Sequence, residues 1–545
     1  MRTAGAMKKN SLYGMSDAGK THVRFDEGDA ASAKLRQRPL RDNMRGCLSA
    51  LALGLLMSCG LGARELDLAQ IDSPSALRHA MDARIAEIRA TGDGTPPAGA
   101  PVYYVSAAQG NDAADGRTPA TAWQTTARLN REKLEPGSWV RYQRGGVYRG
   151  AVRVQKGVTY VAYGAGAKPA IYGSPENGAD PKKWQQTDNP RVWSYPIGHA
   201  DVGTLVFDDG AAHAIKIVIR TDKKTGAKFN KYTGRPFSSY RDLDGDLHFW
   251  HDYYKDGTGC VYLYSDRNPG ERFRSIEFNV KTSGFGVGGA DDVTIDNFTV
   301  KYVGVHGVAA GTCRNLTVSN CEFGWIGGSI QAEAIYGRDY PTRLGNGVEI
   351  YGGCENYTVT NCCFDQIYDA GVTHQFNIPP QAGMKRFDQK NVLFAHNVFD
   401  RCNYSIEYFL TAENGNPSRM ENILYENNLM MDAGVGFSEQ RADRGCAAHV
   451  KGWFQAVRNR AFNYVIRNNV ICHSMDGLMD VGSGLKNPDG SSSMPRLEGN
   501  VFIGRAGGVF GKITETPVRD RVCDTDTPAF LATFGPGNRC VWLEK

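Results

Sequence analysis

Apolar and polar residues alternate in short bursts along most of this chain, and the bursts return in one form. "DVTID", "NLTVS" and "NYTVT" each carry an inward-outward alternation and each runs into an Asn. A large apolar residue follows within a few positions (Phe323, Phe364, Phe399, Met430, Ile471), and then a second strand opens on Gly-Val or a variant. Period-two alternation predicts strands, and the Asn predicts a tight corner because it tolerates the left-handed region. The Asn positions are 297, 320, 361, 427 and 468, with His396 taking the place once, at intervals of 23 to 41 residues. Such variable intervals suit strand coils with loops of free length. The expected fold is therefore all-β, a right-handed single-stranded parallel β-helix whose coils stack their strands into long sheets. A β-sandwich would not put Asn, Cys and Phe in matching places.

Other segments break the rhythm. Ser73-Pro74 followed by Leu77, Met81, Ile85 and Ile88 predicts an N-capped amphipathic helix, expected to cap the open end of the solenoid. The Gly/Pro-rich linker "ATGDGTPPAGAP" follows. The organisation reads as helix and linker over 64–100, first coils over 101–182, a strand-rich insertion over 183–282, main coils over 283–510 and a C-terminal cap over 511–545.

Near the N-terminus, "MRGCLSALALGLLMSCGLGARE" from Met44 has a basic start, a short apolar run and small residues beyond it. It reads as a signal peptide over 44–63, with 1–43 an overcalled extension. "LMSC" is similar to a lipoprotein box ending at Cys59, with cleavage near Ala63 the alternative. The chain is expected outside the cytoplasm, periplasmic or secreted, and any membrane tie is a lipid at Cys59.

Composition adds a little. A net charge of +5 over 545 residues, with no basic run beyond residue 64, argues against nucleic acid. Export permits disulfides, and Cys523–Cys540 is the better candidate. Cys313 and Cys354, like Cys321 and Cys362, share repeat positions and read as stacked thiols, although a bridge between the first two fits adjacent coils. The chain is expected to be monomeric.

"YYVSAAQGNDAADGRTPATAWQT", "PGSWVRYQRGGVYRGAVRV", "YGAGAKPAIYGS" and the Asn-centred coils resemble bacterial exported β-helix proteins of the pectate-lyase-like superfold, over about residues 100–510. The resemblance implies a polysaccharide substrate and enzymes of the glycoside hydrolase or polysaccharide lyase kind. No cofactor is implied beyond an occasional Ca²⁺. The ordered polygalacturonase motifs and the Lys/Arg signature of chondroitinase B-like lyases are absent, so no catalytic residue carries over.

The site must then come from the second strands. Aligned on the aliphatics Val308, Val348, Val372, Ile406, Val435 and Leu478, the next, outward column holds Ala309, Glu349, Thr373, Glu407, Gly436 and Met479. Glu349 and Glu407 are one coil apart from being neighbours, roughly 9–10 Å between Cα atoms. That separation suits two carboxylates flanking a water in an inverting hydrolase. Asp369, Asn403 and Asp432 are expected to add polarity to this face, Asp369 tuning the pair; scattered charges on a solvated sheet are the plain alternative. His374, with Asp480 in its column, points inward as a core histidine or serves as acid or base. Loops over 331–346 and 439–460 bring Tyr340, Arg343, Arg441, Lys451 and Trp453, which, with Thr373, are the candidate substrate contacts. An Arg or Lys there would clamp a uronate, which leans toward an acidic polymer, and an aromatic would stack on a sugar. The expected activity is inverting hydrolysis. The alternatives are a lyase acting by β-elimination through Lys451, Arg343 or His374, and a non-catalytic glycan-binding adhesin. "DLDGD" over 242–246 reads as a hairpin turn before a Ca²⁺ loop, and no metal site is marked.

Overall fold

A computed structural model describes residues 67–544 apart from 253–258, 333–338, 379–386, 413–417, 442–446, 454–459, 482–489 and 514–520. The proposed leader, including Cys59, lies outside these residues. Among them no helix is long and apolar enough to cross a membrane.

Three walls of parallel strands make up the body. The first runs Val102–Val105, Trp139–Gln143, Thr159–Tyr163, Val293–Asp296, Cys313–Ser319, Cys354–Thr360, Gln389–Ala395, Arg419–Glu426, Arg460–Arg467 and Arg496–Glu498, each paired with the next. The second includes Thr299–Val303, Glu322–Ile326, Leu429–Ala433, Val470–Ser474, Val501–Arg505 and Arg539–Leu543. The third includes Phe285–Gly288, Val308–Ala310, Val348–Tyr351, Ala448–Trp453 and Met479–Val481. Cys363–Ile378 and Val398–Ala412 pass through the second wall into the third, with a register shift between Ile367 and Ala370. Every rung-to-rung pairing in this series is parallel, which is a parallel β-helix; parallel crossovers are right-handed.

The corners explain the rhythm. Asn297, Asn320, Asn361, His396, Asn427 and Asn468 all have positive φ, between 52° and 71°. A second corner column, Asn315, Asn356, Asn391, Asn422 and Asn463, is also left-handed, and its amides link rung to rung at 2.7–2.9 Å. The residue after the first corner points inward. Phe298, Cys321 and Cys362 begin that column, and Asn397, Asn428, Asn469, Asn500 and the half-buried Asn538 continue it as an amide ladder with Nδ2–Oδ1 distances of 2.9–3.1 Å. Inside, Phe323, Phe364 and Phe399 stack face to face at 4.9 and 5.0 Å.

Asn428 donates to Asn469 Oδ1 and Phe394 O and accepts from the Asn397 backbone. Asn428→Ala orphans at least two buried groups, each worth about 1–3 kcal/mol. We expect about 3 kcal/mol of destabilisation, read by urea denaturation.

Several expectations change. The helix Pro74–Ala90 forms, capped by Ser73, but it lies along the flank of the coils and does not close an end. Leu77, Met81 and Ile88 pack with Cys363, Val398, Leu429, Val470 and Val501 on the outer side of the second wall. Arg539 donates to the carbonyls of Leu68 and Ile71 at one end of this segment, and Asn297 donates to that of Gly92 at the other. Cys523 and Cys540 are free thiols, as are Cys313 and Cys354, which stack as register partners. Asp432 turns to the helix side, where it meets His473 at 2.6 Å and Arg78 at 3.5 Å, and adds nothing to the third wall.

Residues 183–282 fold as a strand-rich insertion with its own core of Trp184, Tyr195, Leu205, Phe207, Phe249, Leu263 and Phe278. Val202–Phe207 pairs antiparallel with Ile276–Val280, whose Val280 pairs with Val303 of the second wall. In "DLDGD" each Asp serves locally. Asp242 caps Ser238 and Ser239, Asp244 meets Arg235, and Asp246 meets Arg272.

Candidate active site

The outward column of the third wall reads Ala309, Glu349, Thr373, Glu407, Lys451, Asp480, Lys512 in unbroken register. The inward partners are Val308, Val348, Val372, Ile406, Val450 and Met479. Two rungs therefore differ from the sequence alignment. "AGVGF" looks like another Gly-Val strand, but Gly434 and Gly436 both have positive φ and turn the chain into the short helix Gly436–Gln440. The rung comes from Ala448–Trp453 instead, which the sequence reading assigned to a loop. At the next rung the register moves by one, which exchanges the faces. Met479 goes in, and Asp480 joins the acidic column, leaving the one proposed for it with His374.

Glu349 and Glu407 thus stand two rungs apart, about 9.6 Å between Cα atoms at ~4.8 Å per rung, with Thr373 between them. Glu349 is held by three groups. Asn346 Nδ2 donates to its Oε2, Gln375 Nε2 donates to the same oxygen at 3.1 Å, and His306 Nε2 lies 3.4 Å from Oε1. His306 Nδ1 accepts from the Asn346 backbone at 3.0 Å, which leaves its proton on the nitrogen facing Glu349. All three of these groups are donors, so Glu349 serves them as an acceptor on both oxygens.

Glu407 has the opposite surroundings. Burial first, and then the negative charge of Asp369, push its carboxyl up to about 8; Arg441 and Lys451 pull the other way, and Glu349 adds to the rise. Asp369 is buried and ion-paired to Arg441, whose guanidinium lies over the Tyr404 ring at 5.0 Å. Lys451 donates to Asp480 at 2.8 Å and also lies over Tyr404. So one cluster holds a carboxyl whose surroundings push it up and a second carboxyl held by donors.

Arg441 is delivered by the turn before it, which the insertion clamps. Gln440 accepts from the Lys216 backbone at 3.1 Å through its side chain and donates to Ala214 O at 3.0 Å. Its carbonyl accepts from Tyr232 and Tyr368, at 2.5 and 3.2 Å. Phe437 is fully buried, and its N–H donates to Gln366. The two sides of this cluster give a signed expectation. Asp369→Asn removes a charge that raises Glu407, so its titration should move down. Gln440→Ala frees Arg441 from its post, so the titration should move up. Carboxyl carbon chemical shifts followed against pH in labelled protein check both directions.

Other candidates go elsewhere. His374 is fully buried inside the coils, between Gln389 and Tyr425, and burial lowers it to about 4; it is a core histidine, apart from the acids. Arg343 is also buried, donating to Gly328 O and Gly203 O and stacked on Tyr368, where it ties the insertion to the coils and does not face a substrate. Tyr340 lies under Lys231 of the insertion. The Trp453 side chain lies outside the described residues. His306, Asn346, Gln375, Tyr404 and Gln440 were not singled out from sequence. His306 and Asn346 stand two residues before Val308 and Val348, a corner column that period-two reading does not reach.

Among the described residues no group of three or more metal-ligating side chains converges; Asp369 Oδ1 pairs with Arg441 and Asp480 Oδ2 with Lys451.

No known family pattern and no curated protein matches the chain. Among solved structures, a glycoside hydrolase is 11% identical, covering 77% of this chain and 90% of its own, with a TM-score of 0.45. A lacto-N-biosidase from Eubacterium ramulus is 14% identical over 81% of this chain and 68% of its own, TM-score 0.35. A pectate lyase is 12% identical over 74% and 69%, TM-score 0.35. The architecture rests on the chain's own strand register, rung upon rung, and that register is a parallel β-helix.

Proposed function

We propose that this chain is an exported carbohydrate-active enzyme that hydrolyses glycosidic bonds of a polysaccharide with inversion. Glu407 is the general acid and protonates the leaving oxygen. Glu349 is the general base and takes a proton from the water that attacks the opposite face of the sugar. Asp369 and Arg441 set the charge beside the acid. The observation that carries the reading is the pairing of one raised and one donor-held carboxyl at two-rung spacing. With Cα atoms about 9.6 Å apart, carboxyl groups that lean toward each other would come within the roughly 6.5–9.5 Å that leaves room for the water in inversion.

A lyase is less well supported. It needs a base for the proton next to a uronate carboxylate and a cation for the carboxylate itself. Lys451 and Arg441 are ion-paired, Arg343 is bound to carbonyls and His374 is inside.

The deciding experiment incubates purified protein with a panel of polysaccharides and analyses the products. A reducing end that appears first as the inverted anomer is expected. A new ultraviolet-absorbing double bond would establish elimination instead, and neither product would leave a binder.

A further inference from the structure

We propose that the sugar at the scissile position is uncharged, and that a ring of the same glycan sits on Tyr351 and Phe409 beside the acids. This rests on the hydrolytic reading above and names its substrate class.

Two residues beyond the acidic column, on the same face, the register runs Tyr351, Gln375, Phe409. Tyr351 is 43% exposed, one of few large hydrophobic side chains so open among the described residues. Its ring lies 6.5 Å from that of Phe409 and 5.3 Å from that of Phe376, both at steep angles. An exposed aromatic one strand-repeat from a carboxylate is placed for the apolar face of a sugar ring.

Charge makes the second argument. The described cluster holds Glu349, Asp369 and Asp480 against Arg441 and Lys451, and each of the two cations is paired with an acid. A uronate at the glutamate rungs would meet surplus negative charge, where Arg441 and Lys451 are each already paired with an acid, while the column's other cations, Arg153 and Lys512, stand three rungs away on either side. Neutral groups are left over instead. Thr373 Oγ1 and Asn403 Nδ2 are buried and make no hydrogen bond among the described residues, and Thr373 stands on the rung between the two glutamates. A buried hydroxyl or amide without a partner is matched by a sugar hydroxyl in the site.

The test uses Glu407→Gln protein, titrated calorimetrically with xylo-, gluco-, galacto- and galacturono-oligosaccharides of equal length. At least one neutral series should bind. Tyr351→Ala in the same background should weaken it about tenfold or more, since tenfold corresponds to about 1.4 kcal/mol. Tightest binding of the galacturonate series, no binding by any neutral series, or an indifferent Tyr351→Ala would overturn the proposal. The two readings fail separately. Inverting hydrolysis of a uronate polymer by the unaltered protein would sink this one and leave the hydrolase. Neutral oligosaccharides bound but never cleaved would do the reverse.

Discussion

Glu407→Gln should lower turnover of a natural polysaccharide by about 10²–10⁴-fold, the usual weight of a general acid, without loosening the fold. Gln has the shape of the protonated acid that Glu407 is at neutral pH, so the unfolding midpoint should hold. Activity should survive on an aryl glycoside with a good leaving group, which needs no proton. Glu349→Gln should fail on both substrates, because the water still lacks its base. In the unaltered protein, activity should fall as pH rises through about 8, where Glu407 ionises. Full activity of both variants would end the two-carboxylate mechanism.

The second large effect concerns stability. Asp201 and Lys216 are almost wholly buried where the insertion meets the coils, 2.6 Å apart. Burial opposes the Asp201 charge, yet Lys216 and His251 outweigh it and hold the carboxyl down to about 2. Burial outweighs Asp201 at Lys216, whose amine falls to about 8. Asp201 also accepts from the Ile330 backbone. Lys216→Ala leaves a carboxylate buried without its cation, a loss of about 3–5 kcal/mol, measurable by chemical denaturation. The sign with pH follows from the depressed Asp201. Its contribution is complete above about 3.8 and fades as pH falls towards 2. Because Gln440 bonds to the Lys216 backbone, the same variant should disturb the titration of Glu407.

Much of the fold was legible because coil stacking writes itself into composition. A left-handed corner selects Asn, a buried corner selects Cys or Asn, and a stacked interior repeats Phe; these residues align by eye. The paired glutamates were legible for the same reason. What failed was register beyond Met430. There Gly434-Val435-Gly436 imitates a strand opening, and only left-handed φ at both glycines sends the chain out into a turn. Lys451 and Asp480 were consequently read as a loop residue and as a member of the column of His374. Arg343 was misplaced because a lone loop arginine carries no mark of burial. His306 and Asn346 act from a corner where alternation no longer tells inside from outside.

A stacked array in which each layer touches only its neighbours melts like a zipper, from whichever end is weaker. The segment from Leu68 to Gly92 works against that. It fastens the strand at Arg539 to the corner at Asn297 across the layers between them. Fraying of the last layer must therefore strip an anchor from a strap that also grips much earlier ones. We expect the coils to denature in one cooperative transition, and cutting the chain between Gly92 and Pro101 to leave the strap in place.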